Sequence, residues 1–356
     1  MDDCAGAGPL AGLRVVELAA IGPVPHACMM LADLGADVLR VERADGARSF
    51  ADWHRVLDRG RRTVTLDLKD PDGVEELLRL LEDADVLVEG FRPGVAERLG
   101  IGPQVCRRRN PGLVYARMTG WGQDGPLAGL PGHDINYIAL SGALHAIGEA
   151  GGAPVAPLNL LGDFAGGSML LVCGVLAALF ERQRSGLGQT VDAAIVDGTA
   201  SLLGMLLAMT EAGQWTARRG GNVLDGGAPF YGVYACADGG HVAVGALEEP
   251  FYAALLHGLG LDGRVLPDRD EPANWPALRE RFAALFATRT RDAWAAHFAD
   301  TQACVTPVLT LTEAARHPHL HARGTYTDAG PAPAPRFERT PAAAPAPEVR
   351  RASSVS

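Results

Sequence analysis

The chain is short of positive charge. It carries 32 Lys and Arg against 42 Asp and Glu, for a formal net charge of −10. Nucleic-acid binding needs a broad basic surface to displace counterions, so this balance excludes a general polyanion binder and requires any phosphate to meet a local basic pocket. Clustered cysteine is also missing: Cys4, Cys28, Cys106, Cys173, Cys236 and Cys304 are scattered with no CxxC spacing, which removes zinc modules and leaves no metal site to expect. Cys28 and Cys173 fall in apolar helical patterns and read as core thiols. The longest apolar run, Met169 to Phe180, is too short to cross a bilayer, and the opening MDDCAGAG lacks the basic and apolar regions of a signal peptide. A cytoplasmic protein with no membrane and no nucleic-acid partner is the expectation. Walker loop, GxGxxG, GxSxG and HExxH are all absent, so the simplest nucleotide, hydrolase and metalloprotease readings fall away.

What is present is a chain of 356 residues, 47% apolar, enough for one large domain or two ordinary ones. Its first 120 residues alternate β-branched runs with helical patterns, the signature of a parallel sheet covered by helices. Strands are expected at Leu13–Leu18, Asp37–Glu42, Thr63–Leu68, Val86–Val88 and Leu113–Arg117, with a helix over His26–Leu34. A second helix opens at Asp70-Pro71-Asp72, with Asp as N-cap and Pro at the first helical position, and runs through Leu81. The fold class is therefore α/β, with a Rossmann-like large domain. Long apolar helices follow over Phe164–Arg184 and Thr199–Ala212, joined by a strand at Gln189–Ala194. Gly220–Gly227 reads as a mobile loop. Phe230–Ala235 and His241–Val244, flanking Asp238-Gly239-Gly240, read as a hairpin. The layout is a large domain over residues 1–215, a smaller α+β domain over 216–315, and a return segment with an extended, partly disordered tail over 316–356.

Three segments set ionisable groups beside glycine and apolar residues: Pro131-Gly132-His133-Asp134-Ile135-Asn136-Tyr137, Asn159 through Gly167 with Asp163 at its centre, and Gly245 through Tyr252 with Glu248. Each has an ordinary reading. Asp163 suits an N-cap of the apolar helix, His133 a satisfied loop histidine, and Glu248 the start of a helix over Pro250–Leu259, where carboxylates complement the dipole.

Taken together, the segments resemble family III CoA-transferases, and more closely the racemase branch that acts on 2-methylacyl-CoA thioesters. The resemblance opens with Pro9 through Leu18, continues through Ile21-Gly22-Pro23, Leu34 through Val38, Arg59-Gly60-Arg61-Arg62 and Leu66-Asp67-Leu68-Lys69, then Phe91-Arg92-Pro93-Gly94 and Thr119 through Pro126, and closes at Pro335-Arg336-Phe337. Transferases of the family usually carry Tyr-Asp where this chain has Gly132-His133-Asp134-Ile135-Asn136-Tyr137. The resemblance implies His133 and Asp163 as proton-transfer groups and Glu248 as the partner of His133, with Asp134 in support. It further implies Arg43, Lys69, Arg92 and Arg98 as nucleotide and phosphate contacts and Leu66 and Phe91 along the adenine. Ile21, Ile135, Tyr137 and Leu224 are candidate acyl contacts. Arg59-Gly60-Arg61-Arg62 is a further candidate for the phosphates, with a solvated loop as its default reading.

The chemistry suits these residue types. Exchanging the α-hydrogen of a thioester passes through an enolate-like species, so one group removes a proton from one face and another returns it to the other. A dipole-held Asp163 carboxylate, an imidazole paired with Glu248 and oxyanion donors among the amides of Gly162–Gly167 are expected. The coenzyme A is part of the substrate and no further cofactor is implied. The resemblance also implies an intertwined homodimer, with His133 and Asp163 from one subunit and Glu248 from the other. The alternative within the family is a CoA-transferase that carries its acyl group as an Asp163 anhydride; a CoA-binding scaffold without turnover is the third reading.

Overall fold

The structure is a computed structural model that describes residues 8–43, 56–345 and 349–350, the last two as backbone. Cys4, most of the opening MDDCAGAG and most of the final ten residues lie outside the described residues. The chain divides into two compact units. The larger comprises 1–141, 157–203 and 319–356, and the smaller 142–156 and 204–318.

The larger unit is built on a parallel sheet. Its strands are β1 (Arg14–Leu18), β2 (Asp37–Glu42), β3 (Arg61–Thr65), β4 (Val86–Glu89), β5 (Val114–Thr119) and β6 (Thr190–Ala194), in the order β3-β2-β1-β4-β5-β6, and Val349–Arg350 adds to the β3 edge. Every neighbouring pair is parallel. Strands buried on both faces need apolar residues at nearly every position, and Val86, Leu87 and Val88 are wholly buried. One face packs on the helices Pro23–Asp33 and Leu170–Ser185 through Val24, Cys28, Leu171 and Val175; the other packs Leu77, Leu81, Ile101 and Cys106. This strand order reverses direction between β1 and β4, and ligands of doubly wound sheets bind beyond the carboxyl ends at that reversal.

Several elements depart from sequence expectation for identifiable reasons. β3 begins at Arg61, because Arg61 turns inward to pair with the buried Glu17 at 2.7 Å. Leu66 and Leu68 meet the core from the loop that follows rather than from the strand. The basic run is accordingly no solvated loop: Arg59 and Arg61 are buried, Arg59 pairs with Asp33 at 2.5 Å, and Arg61 also donates to the Pro25 carbonyl. Asp70 caps the helix Pro71–Glu82 as expected, accepting from the Asp72 amide at 3.0 Å.

The apolar helix expected at Phe164 starts earlier, as a π-helical segment Leu160–Met169 that continues into α-helix Leu170–Ser185. Wide π turns are tolerated here because Gly162, Gly166, Gly167 and Ser168 are buried. A Cβ at Gly166 would come within 2.6 Å of Thr199 Oγ1 on the neighbouring helix Ile195–Leu202. The combined stretch Leu160–Ser185 has 26 residues and contains an 18-residue window with a mean hydropathy of 1.9, long and apolar enough by composition to cross a membrane. One side packs the sheet through Leu171, Val172, Val175 and Ala178, while Met169 and Phe180 are exposed. Cys173 lies on the exposed side, against the expectation of a core thiol.

Helix Thr199–Ala212 is two helices, Ile195–Leu202 and Gly204–Glu211, the second burying none of its residues. The break coincides with the unit boundary, which therefore lies at 203/204 rather than 215/216. Residues 142–156 also belong to the smaller unit, where Arg219 donates to the carbonyls of His145 and Gly152, each at 2.8 Å. Its sheet joins β7 (Tyr231–Ala235), β8 (His241–Gly245) and β9 (Val305–Pro307), all antiparallel. Phe230, Tyr234, Tyr252, Trp275, Phe282 and Phe286 fill the core beside it. The glycine-rich 220–227 loop is pinned by buried Asn222, whose Oδ1 accepts from the Thr216 amide at 2.7 Å and whose Nδ2 donates to Asp225 at 2.8 Å.

Candidate active site

The carboxyl ends of β1, β4 and β5 open into a cavity of about 320 Å3 in the larger unit. The loops Ala20–Val24, Gly90–Pro93 and Met118–Trp121 form much of its wall, and the segment from Ala128 to His133, Tyr137, Asp163 and Ile195 supply the rest. Three elements distant in sequence thus converge at the sheet reversal.

Asp163 stands in the first turn of the π segment. Asn159 Nδ2 donates to its Oδ2 at 3.3 Å, and its own amide donates to Asp134 Oδ1 at 2.7 Å. It is not the expected N-cap: the helix starts three residues earlier, and Asn159 occupies the cap position. Nor does the helix dipole dominate its titration. Burial pushes the carboxyl above the ordinary aspartate range, opposed by the Asn159 hydrogen bond, while Asp134 pushes it further up and His133 draws it down. The Asp163 amide, bonded to Asp134, is removed from the expected oxyanion donors.

His133 is the N-cap residue of the short helix Asp134–Leu140, in extended backbone, with its amide donating to Asn136 Oδ1 at 3.0 Å. That anchors the main chain and leaves the exposed imidazole at the cavity wall. The next residue, Asp134, is buried and turns its carboxylate to the Asp163 amide. A Cβ at Gly162 would collide with Asp134 Oδ1, so glycine is required for this approach. The segments bearing the two proton-transfer candidates are joined through one carboxylate.

Tyr137, on the same helix, is buried with its ring edge-on to Trp121 at 4.7 Å between centroids. Burial and the Asp163 charge raise its phenol, whereas Arg92 lowers it. Of the expected coenzyme contacts, Phe91 and Arg92 line the cavity. Arg43, Lys69 and Arg98 are exposed and follow or close the segments leaving β2, β3 and β4, and Leu66 and Phe91 are half-buried, packed against the same core cluster. Ile21 lines the cavity, Ile135 is exposed beside it in sequence, and Leu224 belongs to the smaller unit.

Glu248 also belongs to the smaller unit, exposed at the N-cap position of helix Glu249–Gly258. The sequence reading missed Trp121 in the cavity wall and the buried Glu89 and Arg117 behind it. Charged residues near the ends of the otherwise apolar runs VLVE and VYARMT were the available signal.

A family model described as CoA-transferase family III matches residues 10–352. The chain is 48% identical to the alpha-methylacyl-CoA racemase of Mus musculus over 351 residues, covering 97% of this chain and 90% of that protein. It is likewise 48% identical to the alpha-methylacyl-CoA racemase of Homo sapiens, covering 94% of this chain and 87% of that protein. Among solved structures, a CAIB/BAIF family protein from Brucella suis superposes with a TM-score of 0.83 at 26% identity, covering 96% of both chains.

Proposed function

The chain belongs to CoA-transferase family III, and from that membership we propose that it is a 2-methylacyl-CoA racemase, an isomerase that interconverts the two configurations of the thioester α-carbon without a cofactor. The observation that carries the reading is the placement of His133 and Asp163 on separate elements around one cavity, in a chain 48% identical to two alpha-methylacyl-CoA racemases.

In one direction the Asp163 carboxylate takes the α-proton. The C–H electron pair moves into an enolate whose negative charge rests on the thioester oxygen, and protonated His133 delivers its proton to the opposite face. Asp163 ends protonated and His133 neutral, the state that runs the reaction backwards. Burial that raises the Asp163 carboxyl strengthens it as a base, since a general base works best with a pKa close to the operating pH. Asp134 fixes the main chain at Asp163, and Tyr137 and Trp121, in edge contact with each other, line the same cavity.

Arg92 and Phe91 at the cavity, with Arg43, Lys69, Arg98 and Leu66 along the same edge of the sheet, are proposed to receive the nucleotide end of coenzyme A. An acidic chain gathers its cations locally to hold a polyphosphate. The assembly we propose is an interlocked homodimer in which Glu248 of the partner subunit orients His133. Leu140, Leu158, Leu160, Met169 and Phe180, all in the larger unit, are each more than half exposed in the single chain, apolar side chains suited to cover by a partner chain.

The His133→Ala variant tests the reaction class. Two-base exchange requires an acid on the face opposite Asp163, so epimerisation should disappear. Retention of CoA transfer from a thioester to a free carboxylate, by parent and variant alike, would make Asp163 an acyl-carrying nucleophile and overturn the racemase reading.

A further inference from the structure

Two buried charges behind the cavity have no part in the proposed proton transfer. Glu89 ends β4 with its carboxylate wholly buried, and Arg117 faces it from β5 in register. Glu89 Oε1 accepts from Arg117 Nε at 2.9 Å, while Oε2 accepts from the Phe91 amide at 2.6 Å. Arg117 then reaches outward, its two terminal nitrogens donating to Glu97 Oε1 and Oε2 at 2.9 and 3.3 Å. Glu97 lies in the short helix Val95–Arg98.

The loop leaving β4 is thereby held at two points, its second residue by Glu89 and its helix by Arg117. Phe91 and Arg92 follow the first anchor, and Arg98 follows the second. A fully buried carboxylate is expensive, and an apolar pair of similar volume usually stabilises a fold equally well. The present arrangement gives something an apolar pair would not: a main-chain amide fixed by a charge-assisted hydrogen bond, which sets where Arg92 and Arg98 stand at the cationic edge.

We propose that Glu89, Arg117 and Glu97 form a positioning network that sets affinity for the nucleotide end of the thioester while leaving proton transfer alone. The inference rests on the CoA-thioester reading above. Phe91 and Arg92 line the cavity wall, whereas the three network residues do not, so they act through the loop and not on the acyl carbon.

The experiment measures coenzyme A binding by titration calorimetry and α-proton exchange with two substrates, the full 2-methylacyl-CoA and the corresponding acyl-pantetheine, which lacks the nucleotide. For Glu89→Gln the CoA dissociation constant and the KM for the full thioester should rise by about ten- to a hundred-fold, the factor of one hydrogen bond to a charged group. The kcat should stay within about two-fold of the parent, and kcat/KM for acyl-pantetheine should not move. Glu97→Gln removes the half-exposed end of the network, so it keeps the test open if Glu89→Gln does not fold, and it should shift both constants in the same direction by a smaller factor. Folded variants with an unchanged CoA dissociation constant would overturn the inference, as would an equal loss of kcat/KM with both thioesters. Failure of the parent itself to bind coenzyme A would remove the reading beneath it.

Discussion

Replacing Asp134 tests how the two proton-transfer candidates are held. Its buried carboxylate accepts the Asp163 amide at 2.7 Å, and its charge pushes the Asp163 carboxyl upward. Asp134→Ala deletes the acceptor and leaves a part-buried N–H unsatisfied, a loss of about 2 kcal/mol. If that loss appears at the transition state, kcat/KM falls roughly thirty-fold. Asp134→Asn separates position from charge. The amide oxygen can still accept the Asp163 N–H, so activity at the optimum should fall by less than in the alanine variant. Removing the negative charge relieves part of the upward push on Asp163, which then deprotonates at lower pH. In the direction that uses Asp163 as base, the ascending limb of kcat/KM must therefore move to lower pH in Asp134→Asn. Exchange of the α-hydrogen measured across pH for the parent and both variants, with thermal melts to verify folding, gives the answer. An ascending limb that stays in place or moves to higher pH would refute the coupling of Asp134 to Asp163.

Asp163→Asn should abolish exchange and raise the melting temperature at neutral pH. A carboxyl raised by burial binds more protons folded than unfolded, so its contribution to stability is greatest below the unfolded pKa and declines as pH rises through the folded one. The stabilising effect of the substitution should accordingly shrink in acid, and an unchanged or lower melting temperature at neutral pH would contradict it. Gly162→Ala, whose Cβ meets Asp134 Oδ1, should cost about 1–3 kcal/mol in denaturant unfolding and lower exchange with it. Arg61→Ala leaves Glu17 buried without its 2.7 Å partner and should destabilise by about 3–5 kcal/mol, whereas Glu17→Met with Arg61→Leu should recover most of that loss. A single variant as stable as the parent would show that the pair contributes nothing.

Much of the sheet was legible because strands buried on both faces write long apolar runs, as at Val86-Leu87-Val88, and because Asp70-Pro71 is a local capping signal that needs no tertiary information. The reading failed where long-range packing overrides local pattern. The run Arg59 to Arg62 looks solvated until Asp33 and Glu17 are placed beside it. A π-helical start at Leu160 depends on Gly166 meeting Thr199 across more than thirty residues of chain, which no helical periodicity reveals. Cys173 shows the same limit in reverse: its apolar neighbours Leu171, Val172 and Val175 are core residues, yet Cys173 itself falls on the helix side left open in the single chain. At the site, residue types alone left His133 and Asp163 with ordinary roles, and it was the resemblance to family III CoA-transferases that implied them together. The Asp163 carboxyl was expected to titrate under the helix dipole and is instead raised by burial, because helix position is visible in sequence and burial is not.

The central claim is two-base exchange between Asp163 and His133. Its most direct test is incubation of the purified protein in D2O with a single epimer of a 2-methylacyl-CoA, following configuration and deuterium at the α-carbon together. Epimerisation should be accompanied by deuterium incorporation, and both should be lost in Asp163→Ala and in His133→Ala. A configuration that holds across several acyl chains, while coenzyme A passes to an added carboxylate, would contradict it.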